Sequence, residues 1–326
     1  MRVVMAKQNE KKSKYPLIKN SHEAYQEFIN RLSLLHHKHP DLLKTTLANI
    51  FSMRYVGNKT HGDMAEIGIT EFIKKFLYDY DCEHVGKEEF RSKEHDEDIV
   101  VKPLLGNENG FYIPISLKAY GIGPLQLSTD KVDNPKNGLY NQIKTIYKNQ
   151  VIDTPERINK VFDLSGFKSM TNVLPLIYKE EKDENKCNIL IFNLARAIKD
   201  TSYIFQVNSG QKFDETLKKV VKERKNKKKK RVYPIFLFLN KDYRYICEVR
   251  YGGRAANALQ RGIWADTKKG LQYFDIFEKD WIKYTKQEHL LSLIVHALNS
   301  SPTSHIEADK ILISDITKRI PEKDNG

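Results

Sequence analysis

Between Glu94 and Tyr120 two apolar-rich runs, Asp98-Ile-Val-Val and Ile115-Ser-Leu-Lys118, flank the turn Gly106-Asn-Glu-Asn-Gly110. Glycine and asparagine between β-branched runs read as a hairpin. Pairing about Glu108 sets residues whose numbers sum to 216 face to face, which puts Asp98 opposite Lys118. Pro103 and Pro114 have no N–H to give to a ladder, so a register displaced by one or two residues stays open. Past the turn, Ile113, Ile115 and Leu117 alternate with Pro114, Ser116, Lys118 and Tyr120. The first set is expected to pack inward, leaving Ser116 and Lys118 together on the opposite face.

The remaining segments supply the elements around this hairpin. Helical spacing of Ala24, Phe28, Ile29, Leu32 and Leu35 predicts a helix beginning after Asn20, beyond a lysine-rich arm over residues 1–19. A second helix is expected from about Asp41 to Tyr55, and a third from Asp63 to Tyr80 with Ala65, Ile69, Phe72, Ile73 and Phe76 on one stripe. Glu66 falls at the margin of that stripe, roughly 70° from its centre. Strands are predicted at His84–Arg91, Asp98–Lys102 and Phe111–Tyr120, then a loop over Leu125–Asp130 and a helix over Leu139–Lys148. The apolar run Cys187–Leu194 reads as a strand buried on both faces, hence central and parallel. Ser202–Val207 follows as a strand, then a basic helix near Glu215–Lys225, a hairpin about Asn240-Lys-Asp242 and a closing helix through Leu290 and Leu298. Asp153 to Asn185 shows no clear pattern. The expectation is an α/β protein with a mixed central β-sheet flanked by helices. Its parts are an N-terminal arm and helical region over 1–61, a core over 62–205 and a basic α+β region over 206–326.

The formal net charge of +13 is concentrated: Lys212–Arg231 holds 11 basic and 3 acidic residues, net +8, leaving +5 elsewhere. Such a segment attracts polyphosphate through counterion release. Cys82, Cys187 and Cys247 are odd in number and lack metal-ligand spacing, so reduced thiols are expected. His36, His37 and His39 read as a solvated helix end before Pro40 rather than as ligands. No apolar run approaches a membrane span, and the start turns polar too early for a signal peptide, so a cytoplasmic protein is expected.

An aspartate at a strand start, a lysine on the neighbouring strand and a glutamate on the preceding helix are the parts for metal-assisted phosphodiester hydrolysis. Carboxylates such as Asp98 and Glu66 suit Mg²⁺, and an ammonium such as that of Lys118 orients water or stabilises developing charge. No phosphate-binding glycine loop, nucleophile elbow or paired zinc-ligand motif competes with this reading.

The order helix, strand, Asp98, hairpin, Ile115-Ser-Leu-Lys118 resembles the PD-(D/E)xK nuclease superfamily and, within it, the type II restriction endonucleases, over about residues 62–195. Glu97 stands where the family often has proline, and Ser116 where it usually has a second acid. Some restriction enzymes resemble this serine-x-lysine form; the missing carboxylate would come from Glu66, with Asp130 and Glu97 behind it. The resemblance implies Mg²⁺-dependent cleavage of double-stranded DNA at a specific sequence, with catalytic residues Asp98, Lys118, Glu66 and Ser116 and metal ligands Asp98 and Glu66. It also implies a homodimer on a palindromic target and a companion DNA methyltransferase. Base reading is expected from Arg250, Arg254, Asn257, Gln260 and Arg261, because Arg pairs with guanine and Asn or Gln with adenine in the major groove. Lys218–Arg231 would hold phosphates. Three rivals remain: a repair or structure-specific nuclease of the same fold, a non-catalytic DNA-binding protein, and attachment to an acidic partner or membrane surface through Lys227–Arg231.

Overall fold

The computed structural model describes residues 21–53, 61–85, 98–105, 110–132, 151–165, 167, 172–182, 184–208, 210–222, 234–252 and 259–285. Several expectations lie outside these residues: the arm over 1–19, the acidic turn over 94–97, the helix over 139–148, the lysine run 227–231 and the helix beyond 285.

Three helices come first: α1 (Ser21–Lys38), α2 (Pro40–Met53) and α3 (His61–Phe76). Each follows from a stripe of apolar residues at helical spacing, Ala24, Phe28 and Leu32 in α1 and Ala65, Ile69, Phe72 and Ile73 in α3, all buried. Proline opens α2, where its missing N–H costs nothing. The third helix ends at Phe76, four residues before the expected Tyr80, because Tyr80 already begins β1 (Tyr80–His84). The first strand thus begins before the expected His84–Arg91 and reaches His84, while residues 86–91 lie outside the described ones. Its alternation of buried Tyr80 and Cys82 with exposed Asp81 and Glu83 is a period of two over too few residues to compete with the helical pattern before it.

From there β2 (Ile99–Pro103) and β3 (Ile113–Gly121) complete an antiparallel trio, and β5 (Asn172–Glu180) joins β3 in parallel. The sheet continues to β6 (Asn185–Phe192), against which β13 (Phe274–Ile276) and β14 (Ile282–Tyr284) pair. The central sheet is therefore mixed and flanked by helices, as expected. Within it, β6 is antiparallel to β5 rather than parallel, which corrects the reading of Cys187–Leu194. The parallel partner of β3 is β5, inside the segment that showed no clear pattern.

A second, antiparallel sheet has the order β4 (Pro124–Val132), β12 (Leu259–Asp266), β11 (Tyr245–Gly252), β10 (Ile235–Asn240) and β7 (Thr201–Val207). The expected loop at Leu125–Asp130 is thus strand β4, with Leu125 and Leu127 buried between polar neighbours. The hairpin about residues 240–242 is present as β10 and β11. The expected basic helix is instead a hairpin of β8 (Gln211–Asp214) and β9 (Lys219–Lys222). There Asp214 Oδ1 accepts from the backbone N–H groups of Thr216 (3.0 Å) and Leu217 (2.9 Å), and Lys218 takes φ +50°. An aspartate whose side chain accepts from the amides two and three residues on stabilises the turn that closes the hairpin.

Two apolar clusters hold these layers together. Helices α1–α3 cover one face of the first sheet, burying Ile99, Val101, Ile113, Ile115, Leu117, Leu174, Leu176 and Ile189. On the opposite face Ile177 and Leu190 meet helix α4 (Pro155–Leu164) and the inner side of the second sheet, including Phe162, Phe236 and Phe238. Helix α5 (Leu194–Asp200), capped by the Asn193 side chain, turns the chain from β6 into β7. Among the described residues no helix is long and apolar enough to cross a membrane. The three cysteines are free and buried, and burial pushes the Cys82 and Cys187 thiols up to about 12.

Helices α2 and α3 approach so closely at Gly68 that an added Cβ would lie 2.5 Å from Ile50 Cγ1 and 2.6 Å from Cδ1. Ile50 is itself buried. Gly68→Ala is expected to destabilise the protein by about 1–3 kcal/mol through overpacking, against roughly 1 kcal/mol of helix propensity gained. In urea unfolding, Gly68→Ala combined with Ile50→Ala should lose clearly less than the sum of the single changes.

Candidate functional site

The candidate site spans α3, β1, β2 and β3. Ile99 pairs with Ile115 and Val101 with Ile113, so facing residues sum to 214, and Asp98 meets Ser116 rather than Lys118. A shift of two residues leaves every side chain on its original face, so apolar patterning does not choose between the two registers. Hydrogen bonds at the start of β2 distinguish the observed one. Asp98 N–H donates to Ile115 O (3.0 Å), while its Oδ2 accepts from Leu117 N–H (2.7 Å) and Ser116 Oγ–H (3.1 Å). The Asp98 side chain is thereby fixed against the neighbouring strand by charge-assisted bonds.

Ser116 is itself buried, and Lys118, two residues on and half-buried, shares its face of β3. The structure therefore brings Asp98, Ser116 and Lys118 to one region, with Ser116 holding the position opposite Asp98. On its other edge Lys118 aligns with Pro175 of β5, the parallel strand.

Glu66 occupies the second turn of α3 and is only 7% exposed, so the margin of the stripe is closer to the core than its angle alone suggests. Its Oε2 lies 2.9 Å from Nε2 of His84 on β1. His84 aligns with Ile99, and the adjoining Val85 N–H donates to Asp98 O (3.1 Å). Glu66 and His84 therefore lie on the helix-covered face of the sheet, with Ile99, whereas Ser116 and Lys118 lie on the opposite face. His84 was not among the expected site residues. Its signal was non-local, since the contact appears only when β1 begins at Tyr80 and brings residue 84 under α3.

Of the substitute acids, Glu97 lies outside the described residues, and Asp130 is on β4 in the second sheet, aligned with Arg261. No group of three or more His, Cys, Asp or Glu residues able to hold a metal occurs among the described residues. The oxygen donors of Asp98 and Glu66 are nevertheless of the kind that suits Mg²⁺, which takes one or two carboxylates and keeps water or phosphate for the rest.

The expected base-reading residues divide. Arg254 and Asn257 lie outside the described residues, and Gln260 is placed only by its backbone, opposite Gly252 in β12. Arg250 lies on β11 with its guanidinium 4.3 Å over the Trp264 ring and its Nε 2.5 Å from Glu248 Oε1. Arg261 aligns with the core-facing Tyr251, is 3% exposed, and has its pKa lowered by desolvation. Because Arg250 and Tyr251 are successive, Arg250 and Arg261 occupy opposite faces of the sheet. Glycine at 262 accommodates the Trp264 indole, whose Nε1 would be 2.8 Å from an added Cβ. Comparison with family models, curated proteins and solved structures found no match.

Ser116→Ala removes one of the hydrogen bonds to Asp98 and leaves the Leu117 amide in place. A loss of about 1 kcal/mol is expected. Chemical denaturation should register it as a lower midpoint with an unchanged slope.

Proposed function

We propose that this chain is a Mg²⁺-dependent endonuclease that cuts double-stranded DNA at a specific sequence, resembling type II restriction endonucleases of the PD-(D/E)xK superfamily. The observation that carries the reading is the Asp98 carboxylate held at the start of β2 by Leu117 N–H and Ser116 Oγ–H, with Lys118 on the same face of β3 as Ser116. The element order of the resemblance, helix, strand, aspartate, hairpin and Ser-x-Lys, agrees with the observed α3, β1, β2 and β3.

In this reading Asp98 would hold a Mg²⁺ ion, which would supply polarisation of the scissile phosphate and a more acidic bound water. Leu117 N–H and Ser116 Oγ–H keep the Asp98 carboxylate oriented, so little reorganisation is needed when DNA arrives. Lys118 brings a cation to the charge that develops on the phosphate as the bond to oxygen breaks. His84 positions the Glu66 side chain. Arg250, stacked on Trp264 and paired with Glu248, is a base-reading residue, and the lysines of 218–231 bind phosphate. A two-fold homodimer would match a palindromic site, with a companion methyltransferase protecting cellular DNA.

Purified protein incubated with plasmid DNA and Mg²⁺ should yield discrete fragments, and chelation should abolish them. Asp98→Ala and Lys118→Ala should each slow cleavage by about 100-fold or more while DNA binding is retained. Unpatterned nicking would favour a repair or structure-specific nuclease. Binding without cleavage under several divalent ions would favour a non-catalytic DNA-binding protein.

A further inference from the structure

The edge strand β1 brings a second carboxylate to the face of the first sheet that carries Asp98. Cys82, aligned with Val101, is buried beneath the helices, and His84, aligned with Ile99, meets Glu66 on α3. Glu83 stands between them, aligned with Val100, so it points to the other face, where Asp98, Ser116 and Lys118 lie. We propose that Glu83 is the second acid of the site and that Asp98 and Glu83 together would hold a divalent cation. The inference rests on the reading of Asp98 as a metal ligand.

Val85 N–H donates to Asp98 O (3.1 Å), which sets residue 85 opposite Asp98 and Glu83 on the diagonal. Diagonal neighbours on one face of an antiparallel pair are about 7–8 Å apart at the backbone, within reach of long side chains. Two oxygens on one Mg²⁺, each about 2.1 Å from it, are at most about 4 Å apart. The two methylenes of a glutamate span the difference. Glu83 is exposed, so it can turn toward Asp98 without disturbing the core. Asp98 is already fixed by Leu117 N–H and Ser116 Oγ–H. One ligand is therefore preset and the other adjustable.

The other acids are placed less well. Glu66 lies across the sheet, its Oε2 2.9 Å from His84 Nε2, and Asp130 belongs to the second sheet. Asp81 shares the face of Glu83 but aligns with Lys102, two residues farther from Asp98, and its Oδ1 accepts from Cys82 N–H (2.8 Å). Ser116 brings no charge to the position opposite Asp98, so Asp98 alone would offer one negative charge to a dication. Glu83 supplies the second and leaves the remaining coordination positions to water and a phosphate oxygen. From Asp98, Glu83 lies toward Val100, whereas Lys118 lies beyond Ser116 in the opposite direction, so the ammonium does not crowd the cation.

The test uses the full chain without DNA and Mn²⁺ as the probe, its free concentration read by electron paramagnetic resonance, with Mg²⁺ as competitor. Saturable Mn²⁺ binding that Mg²⁺ displaces, weakened at least tenfold by Asp98→Asn and by Glu83→Gln, is the expected result. A charge on an edge strand also discourages pairing with another sheet. Glu83→Lys keeps that charge and should bind as weakly as Glu83→Gln, whereas Glu66→Gln and Glu97→Gln should change the affinity less than threefold. Circular dichroism confirms that each variant is folded. Binding that Asp98→Asn weakens tenfold but Glu83→Gln does not overturns the assignment of Glu83 alone. Absence of saturable binding, or binding indifferent to Asp98→Asn, overturns the reading of Asp98 as a ligand and Glu83 with it.

Discussion

Strand β3 sets the constraint on which the first sheet depends, because its apolar face lies beneath the helices and it is hydrogen-bonded on both edges. Ile113, Ile115 and Leu117 are buried beneath the three helices, each worth about 1.5–3 kcal/mol in transfer terms. The opposite face places Ser116 out of water at 3% exposure. A buried hydroxyl needs a partner, and Asp98 at the start of β2 supplies one. The same carboxylate satisfies the Leu117 amide, so one side chain both pins the register of β2 and leaves an acid fixed beside Lys118. Packing and candidate chemistry therefore share a cause.

Around that strand, the two sheets divide their roles by position. The first sheet lies between the helices and the second sheet, and β5 and β6 contribute alternate residues to each apolar cluster. Strands remote in sequence are interleaved: β4, from the first half of the chain, closes the second sheet against β12, while β13 and β14 return to β6. Arg250 is displayed from the second sheet, where Trp264 and Glu248 hold its guanidinium. Arg261, on the opposite side of the same sheet from Arg250, is drawn into the interior instead.

Much of the helical layer was legible because amphipathic stripes of 14 to 18 residues repeat their signal over several turns. The β10–β11 hairpin and the apolar β6 were legible for the same reason of local repetition. Short strands were not: β1, with five residues, was hidden behind the end of α3, and β9, with four, was read together with the turn before it as part of one charged helix. β4 was read as a loop because Ser128, Thr129 and Asp130 are turn-forming types, although Leu125 and Leu127 alternate as a half-buried strand should. At the site, Asp98, Ser116, Lys118 and Glu66 could be named from residue type and spacing, whereas His84 could not, because its contact with Glu66 joins two elements 18 residues apart.

The sequence by itself determined the amphipathic helices, the alternation along β3 and the residue types gathered near Asp98, since these depend on periodicities within single elements. Only the tertiary structure decided the register of 214 rather than 216, the parallel partnership of β3 with β5 and the antiparallel direction of β6. The physical reason is one of symmetry and distance. A two-residue slip preserves every inward and outward face, so the hydrophobic pattern is indifferent to it. The choice falls to hydrogen bonds and packing between residues far apart in the chain, among them those from Leu117 N–H and Ser116 Oγ–H to a single carboxylate oxygen of Asp98.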